Sequence, residues 1–386
     1  MIDSDPRLLA AIGPRVRKSP LFDCTVRAGL SAVSTYNHMW LPMSYGDLDA
    51  EYERLTRAVS MWDVTAQRHV EVSGSDADAL TQFVTAVDIT TTPSGHAVYA
   101  PMVDAAGTLI NDPVLLHWSD GSWRFSIADS DVELWLKAVA DGRGFDVTVR
   151  ERDTVTIAVQ GPRAHGVAAA LGWPWTESLD TFEMRPATVA TDAGDVEVVL
   201  CRSGWSNQGG IEIFCDDPDA GPAVWDAVRG AGEPFDIGPG APNATERLEN
   251  TFLSYGTDTG YHADPIELGM TDSLDLDGPE FIGQRALHDL ASAEPERRLR
   301  GCVIDGEPIG VLPHPVPLRI GDDIVGLLRS GSDSPRFGTN IGLALIDARC
   351  ETGAVGSVTL PAGVGTRALR LVDLPFAESL DEASPG

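Results

Sequence analysis

The residues of this chain best suited to chemistry are carboxylates set beside aromatics and glycine-rich turns. No GxxxxGK[ST] occurs and no GxGxxG follows a strand-like run, so phosphate-loop and dinucleotide fingerprints are absent. The eight histidines form no HxH, HExxH or HxxxH pair, and no metal site is expected. The five cysteines are scattered without a CxxC, which suggests neither a disulfide framework nor a zinc site. What remains suits a site that binds a flat polar ligand and works without metal or covalent nucleophile.

One stretch carries this reading furthest: RSGWSNQGGIEIF, residues 202–214. DVEVVLCRS (195–203) and IEIF have strand-like patterns, and the glycines between them predict a hairpin with a wide, open loop. Period-two alternation puts Glu212 on the side shared with Gly210 and Phe214. Gly210 is expected to leave empty space beside the carboxylate, and Phe214 to make that side apolar. A carboxylate accepts two parallel hydrogen bonds, so a flat ring with adjacent N–H donors would fit there. Pattern alone favours the simpler alternative, a polar residue on an exposed strand face.

Strand-like and helix-like runs alternate through the elements that must hold this stretch. HVEVSG (69–74) alternates as a strand, and SDADALTQFVTAV follows as a helix opened by Ser75. WRFSIADSDVELWLKAVADGRG reads as a strand and then a helix with a Ser130/Glu133 capping box, ended by Gly142. DTVTIAVQGP (153–162) is a buried strand closed by a Gly-Pro turn, and AHGVAAALG restarts a helix. The polar stretch LASAEPERRLRG (290–301) is the best boundary. Beyond it, short apolar runs broken by glycine and proline suggest a small antiparallel barrel or sandwich. The expected fold is an α+β body with a C-terminal all-β cap, and 386 residues allow two or three cores.

Composition narrows the partners. The formal net charge is −30, and only Lys18 and Lys137 among 28 basic residues are lysines. Such a chain is repelled by phosphate backbones and anionic membranes, so neither nucleic acid nor membrane is expected as a partner. No apolar run approaches the roughly 20 residues that span a bilayer. MIDSDPRLLAAIGPRVRKSP lacks the charge order of a secretory signal, which makes the cytoplasm the expected compartment. The acidic tail 379–386 is expected to be disordered. Oligomeric state is not legible.

SGWSNQGGIEI resembles the G-[YF]-x-x-x-x-G-[FY]-E block of the glycine cleavage T protein and its relatives, the tetrahydrofolate-dependent one-carbon transferases. AVYAPMVDAAGTLINDPVLL (97–116), VQGP (159–162), ERLENTFLSYGTD (246–258) and GLLRSGSDSPRFGTNIGLALI (326–346) fall in the family's order. The resemblance implies a folate-binding, aminomethyltransferase-like body of two mixed α/β subdomains over 1–292 and an antiparallel β-barrel over 296–378. It also implies a tetrahydrofolate co-substrate, with Glu212, Trp205, Tyr99 and Arg247 in its site.

Three departures point to a branch. WDVTAQ (62–67) stands for FDVSHM, Ile110-Asn111-Asp112 for LDD, and NATERLE (243–249) puts Asn243 where the family has a folate-associated arginine. These changes, with YNHMWLP, NDPV and RSGWSNQGG, resemble the dimethylsulfoniopropionate-demethylating branch. That branch implies methyl transfer from a small-molecule sulfonium donor, with Asp112 and Asn111 at the reaction. Asp112 is expected to orient the accepting nitrogen or to take its proton. Tyr36, Trp40 and Trp205 are candidates to face the cation, and Arg202, Tyr255 or His38 to hold the donor's carboxylate. A glycine-cleavage aminomethyltransferase and a demethylase of another N- or O-methylated small molecule stay open.

Overall fold

A computed structural model describes residues 13–361 and 363–382. The stretch before residue 13 and the tail residues 383–386 lie outside the described residues, and with them most of the leader reading. Of the tail expected to be disordered, Ser379 closes the short helix Phe376–Ser379, and Glu382 pairs with Arg336 at 2.7 Å. Among the described residues no helix is long and apolar enough to cross a membrane.

Two larger sheets and a barrel, together with two two-stranded sheets, form the α+β architecture. The first sheet has six strands in the order Met184–Thr191, Gly194–Cys201, Gly210–Cys215, Val155–Gln160, Val59–Asp63 and Ile237–Pro239. All its pairs are antiparallel except the last. Its central strands are near-continuous apolar runs because both faces are covered. Helices Ala164–Ala170 and Gly221–Gly232 close one face, driving Val167, Val224, Trp225 and Val228 against Val155, Ile157 and Ile213. Truncating the fully buried Trp225 to alanine would cost about 3–5 kcal/mol.

The second sheet is a five-stranded antiparallel one: Thr148–Arg152, His69–Ser73, Trp123–Ser126, Val114–His117 and His96–Tyr99. Helices Ala77–Val84 and Val132–Arg143 pack Leu80, Val84, Val132 and Leu136 onto it as a separate core. Both helices differ from expectation at their ends. Ser75 bonds Asp146 instead of opening the first, and Ser130 caps nothing because its hydroxyl is used by Ile110 and Asn111. The second helix runs past Gly142 and ends on Gly144, which takes the left-handed conformation. The barrel closes through six strands, from Arg297–Ile304 to Gly365–Val372, around Leu318, Leu328, Ile346 and Leu371.

Candidate active site

A cavity of about 1690 Å³ opens where the two sheets, the loops after residue 250 and the barrel meet. One end is built on the hairpin. Glu212 lies in register between Ala158 and Cys201 on the flanking strands and is only 7% exposed. The exposed-face alternative therefore falls. Gln67 Nε2 donates to Oε1 at 3.2 Å and Ser203 Oγ to Oε2 at 2.5 Å. Those two bonds use half of the carboxylate's roughly four acceptor positions, and among the described residues no basic side chain lies within 4 Å. Burial raises the pKa of Glu212, with the Ser203 and Gln67 bonds opposing it. The result is a buried carboxylate, open to further donors, on a cavity wall shared with Phe214, Trp62 and Trp205.

Gly210 does not leave the space expected of it. A Cβ there would collide with the Val159 carbonyl and come within 2.8 Å of Gln160 Nε2. The glycine permits strands to touch, and the opening beside Glu212 comes from the loop.

The other end gathers polar groups through three short segments. Asn111 is fully buried, and it accepts from Ala128 N and donates to Ala128 O and Ser130 Oγ. Asn37 N donates to Asp129 Oδ1 at 2.8 Å, while its side chain donates to Ala66 O and Ile127 O. This stitching sets Tyr36, Asp112 and Asp129 on the cavity with Tyr99 and Tyr255. Tyr99 donates to Asp112 Oδ2 at 2.9 Å. Burial lifts the Asp112 carboxyl to about 7, with the Tyr99 bond opposing it. Burial and then the Asp112 charge also raise the Tyr36 and Tyr255 hydroxyls, the latter to about 12.

Of the residues the sequence nominates, Asp112, Glu212, Tyr36, Tyr99, Trp205, Arg247 and Tyr255 line this cavity. The remaining four do not. Asn111 spends its amide on the backbone of residue 128 and on Ser130, so it holds the site together instead of facing the reaction. His38 pairs with Asp131 on the surface. Trp40 sits in the hairpin opposite Thr35, with its backbone bonded to Arg17. Arg202 donates to the Leu179 carbonyl. Arg247 is committed to the buried Asp258 and to Phe252 O, with its guanidinium 5.9 Å from the Trp205 ring centroid. Asn243 caps helix Ala244–Glu249 by accepting from Thr245 N and Glu246 N. Gln67, Ser203 and Asp129 were not singled out in the sequence. Gln67 closes WDVTAQ and Ser203 opens the glycine-rich loop, so both lay within stretches already read.

Comparison with known proteins follows the same lines. The GCVT N-terminal domain family matches residues 21–278 and the glycine cleavage T-protein C-terminal barrel domain family matches 297–377. The chain belongs to the glycine cleavage T-protein family. Dimethylsulfoniopropionate demethylase DmdA of Ruegeria pomeroyi is 34% identical over 88% of this chain and 92% of its own. An aminomethyltransferase of Thermotoga petrophila is 29% identical over 94% and 98%. The crystal structure of the glycine cleavage system aminomethyltransferase T from Bartonella henselae has the same fold, with a TM-score of 0.81 at 20% identity over 95% of this chain and 100% of that one.

As a member of the T-protein family this is a tetrahydrofolate-dependent, methyl-transferring enzyme. Its own residues fit that co-substrate. The reduced pterin carries an amino group and a ring N–H side by side, and Glu212 is a buried carboxylate with acceptor positions unfilled beside aromatic walls.

Proposed function

We propose that the enzyme moves a methyl group from a sulfonium, dimethylsulfoniopropionate, to tetrahydrofolate, leaving 3-methylthiopropionate and 5-methyltetrahydrofolate. The carrying observation is the make-up of the cavity wall around Asp112. Tyr36, Tyr99 and Tyr255 stand there with Asp112 and Asp129, and neither carboxylate has a basic side chain within 4 Å among the described residues. A permanent cation is attracted to aromatic faces, by about 0.5–2 kcal/mol per ring, and to unpaired carboxylates. A donor without a cationic centre gains nothing from the two carboxylates. The likeness to a dimethylsulfoniopropionate demethylase supports the same donor.

The chemistry asks little of the protein on the donor side. The S–CH3 bond breaks with its electron pair staying on sulfur, and the neutral thioether leaves without needing a proton. Tetrahydrofolate supplies a secondary amine that takes the methyl group and gives up one proton. Asp112, at about 7 and already hydrogen-bonded to Tyr99, is the group placed to hold that proton. Glu212 and Trp205 orient the pterin, and the apolar walls keep water from the reacting atoms. Catalysis is then mostly alignment in a dry site.

The test is incubation with tetrahydrofolate and dimethylsulfoniopropionate, following 5-methyltetrahydrofolate and 3-methylthiopropionate. Equal amounts of both products are expected. Methylene-tetrahydrofolate and ammonia from an aminomethyl-carrying H protein, and no product from the sulfonium, would overturn the proposal.

A further inference from the structure

The loop that carries Trp205 is wrapped around a single buried side chain. Gln160 ends the strand Val155–Gln160 and is 1% exposed. Its Nε2 donates to Ser203 O at 3.0 Å, and its Oε1 accepts from Ser206 Oγ at 2.8 Å. Gly161 N, next in sequence, donates to Gly209 O at 2.9 Å. The amide therefore bonds the chain on both sides of Trp205. One of the loop's glycines is explained by the same side chain: a Cβ on Gly204 would overlap the Gln160 amide, while one on Gly210 would collide first with the Val159 carbonyl and also crowd Gln160 Nε2. Both also hold positive φ, at +152° and +142°, where a side chain is strained.

The consequence reaches the cavity through Ser203, whose hydroxyl bonds Glu212 Oε2. Its backbone carbonyl is the group Gln160 holds. Without that hold, Ser203 and Trp205 share a loop anchored farther along, by Glu246 on Asn207 N and Gln208 Nε2, by Asn250 on Asn207 Nδ2 and by Gly161 N on Gly209 O. We infer that Gln160 is a positioning residue for folate: it fixes the 203–209 loop so that Ser203 and Trp205 meet the co-substrate beside Glu212, while having no part in recognising the methyl donor. This rests on the assignment of Glu212 and Trp205 to the pterin.

The experiment compares Gln160→Met, which keeps the length and loses the side chain's hydrogen bonds to the loop, and Gln160→Glu, which keeps the acceptor for Ser206 but sets an oxygen against the Ser203 carbonyl. Tetrahydrofolate affinity is measured by calorimetry, KM for each substrate by steady-state kinetics, and exchange of backbone amides 203–209 by mass spectrometry. Expected are a loss of folate affinity of about tenfold or more, a donor KM within about twofold of the parent, and faster exchange confined to the loop. Gln160→Glu covers the case in which Gln160→Met does not fold. Unchanged folate affinity and loop exchange in a folded variant, or donor and folate KM rising together, would overturn the inference. Glu212→Gln is run alongside. If it binds folate like the parent, the pterin assignment itself fails, an outcome distinct from a Gln160 variant that binds normally while Glu212→Gln does not.

Discussion

The two ends of the cavity are built on different principles. On the Glu212 side the polar groups are borne on a paired strand or pegged to a strand or helix: Glu212 by Gln67 and Ser203, and the loop by Gln160 on a strand and Glu246 on a helix. At the Asp112 end the groups come from strand ends and turns, and Asp129 is exposed. Hydrogen bonds there join segments 36–37, 111–112 and 127–129 through Asn37 and Asn111, while among the described residues the carboxylates themselves have no basic partner. The first is held by hydrogen bonds on strand-borne groups, an arrangement suited to reading shape and donors. The second reads charge, and its buried member holds a proton near neutrality. A folate co-substrate with fixed ring geometry suits the first, and the sulfonium centre of a small flexible donor suits the second.

Substitutions should break the two ends in different ways. Asp112→Asn should have the largest effect, lowering kcat by about a hundredfold or more, as for loss of a group that handles a proton. Folate affinity should be kept. In the parent, kcat/KM should rise with pH through about 7 as Asp112 loses its proton, and that limb should vanish in the variant. Unaltered turnover would remove Asp112 from the mechanism. Glu212→Gln comes next: it replaces one acceptor oxygen by a donor, and KM for tetrahydrofolate should rise about 10- to 100-fold, the range for a charged hydrogen bond. A rise in the donor's KM instead would reverse the assignment of the two ends. Asp129→Asn should be smaller because the carboxylate is exposed and screened. Its donor KM should rise about threefold at low salt, and the difference from the parent should disappear at high salt.

Local pattern was enough for the elements, since period-two runs and amphipathic stripes are recorded residue by residue. The hairpin around residues 202–214 is where the sequence puts it. What the sequence left hidden is what depends on contact across distance. Glu212 sits on a strand buried on both faces, which alternation cannot distinguish from one with a wet face. Asn111 looks catalytic from its place beside Asp112, but only the position of residue 128 shows that its amide is spent. His38 and Arg202 flank site residues in the chain and still fall outside the cavity, because one caught a surface carboxylate and the other a backbone carbonyl. Helix ends failed similarly: Ser130 has the spacing of a cap, but tertiary partners took its hydroxyl.

The smallest effect separates the ends by stability instead of rate. Burial raises the folded-state pKa of Asp112 from 3.8 to about 7, so the folded protein holds a proton there that the unfolded chain has released. The stabilisation from the neutral form is complete below about pH 4 and is lost as pH rises through about 7, since stability falls wherever the folded state binds more protons. Asparagine is neutral throughout and can still accept from Tyr99. Without ligands, Asp112→Asn should therefore match the parent's melting temperature near pH 4.5 and exceed it by a few degrees at pH 8. This trade of stability for a charge at working pH is the mark of a group kept for chemistry. A melting difference independent of pH would mean that Asp112 does not titrate in this range, and the proton-holding role would go with it.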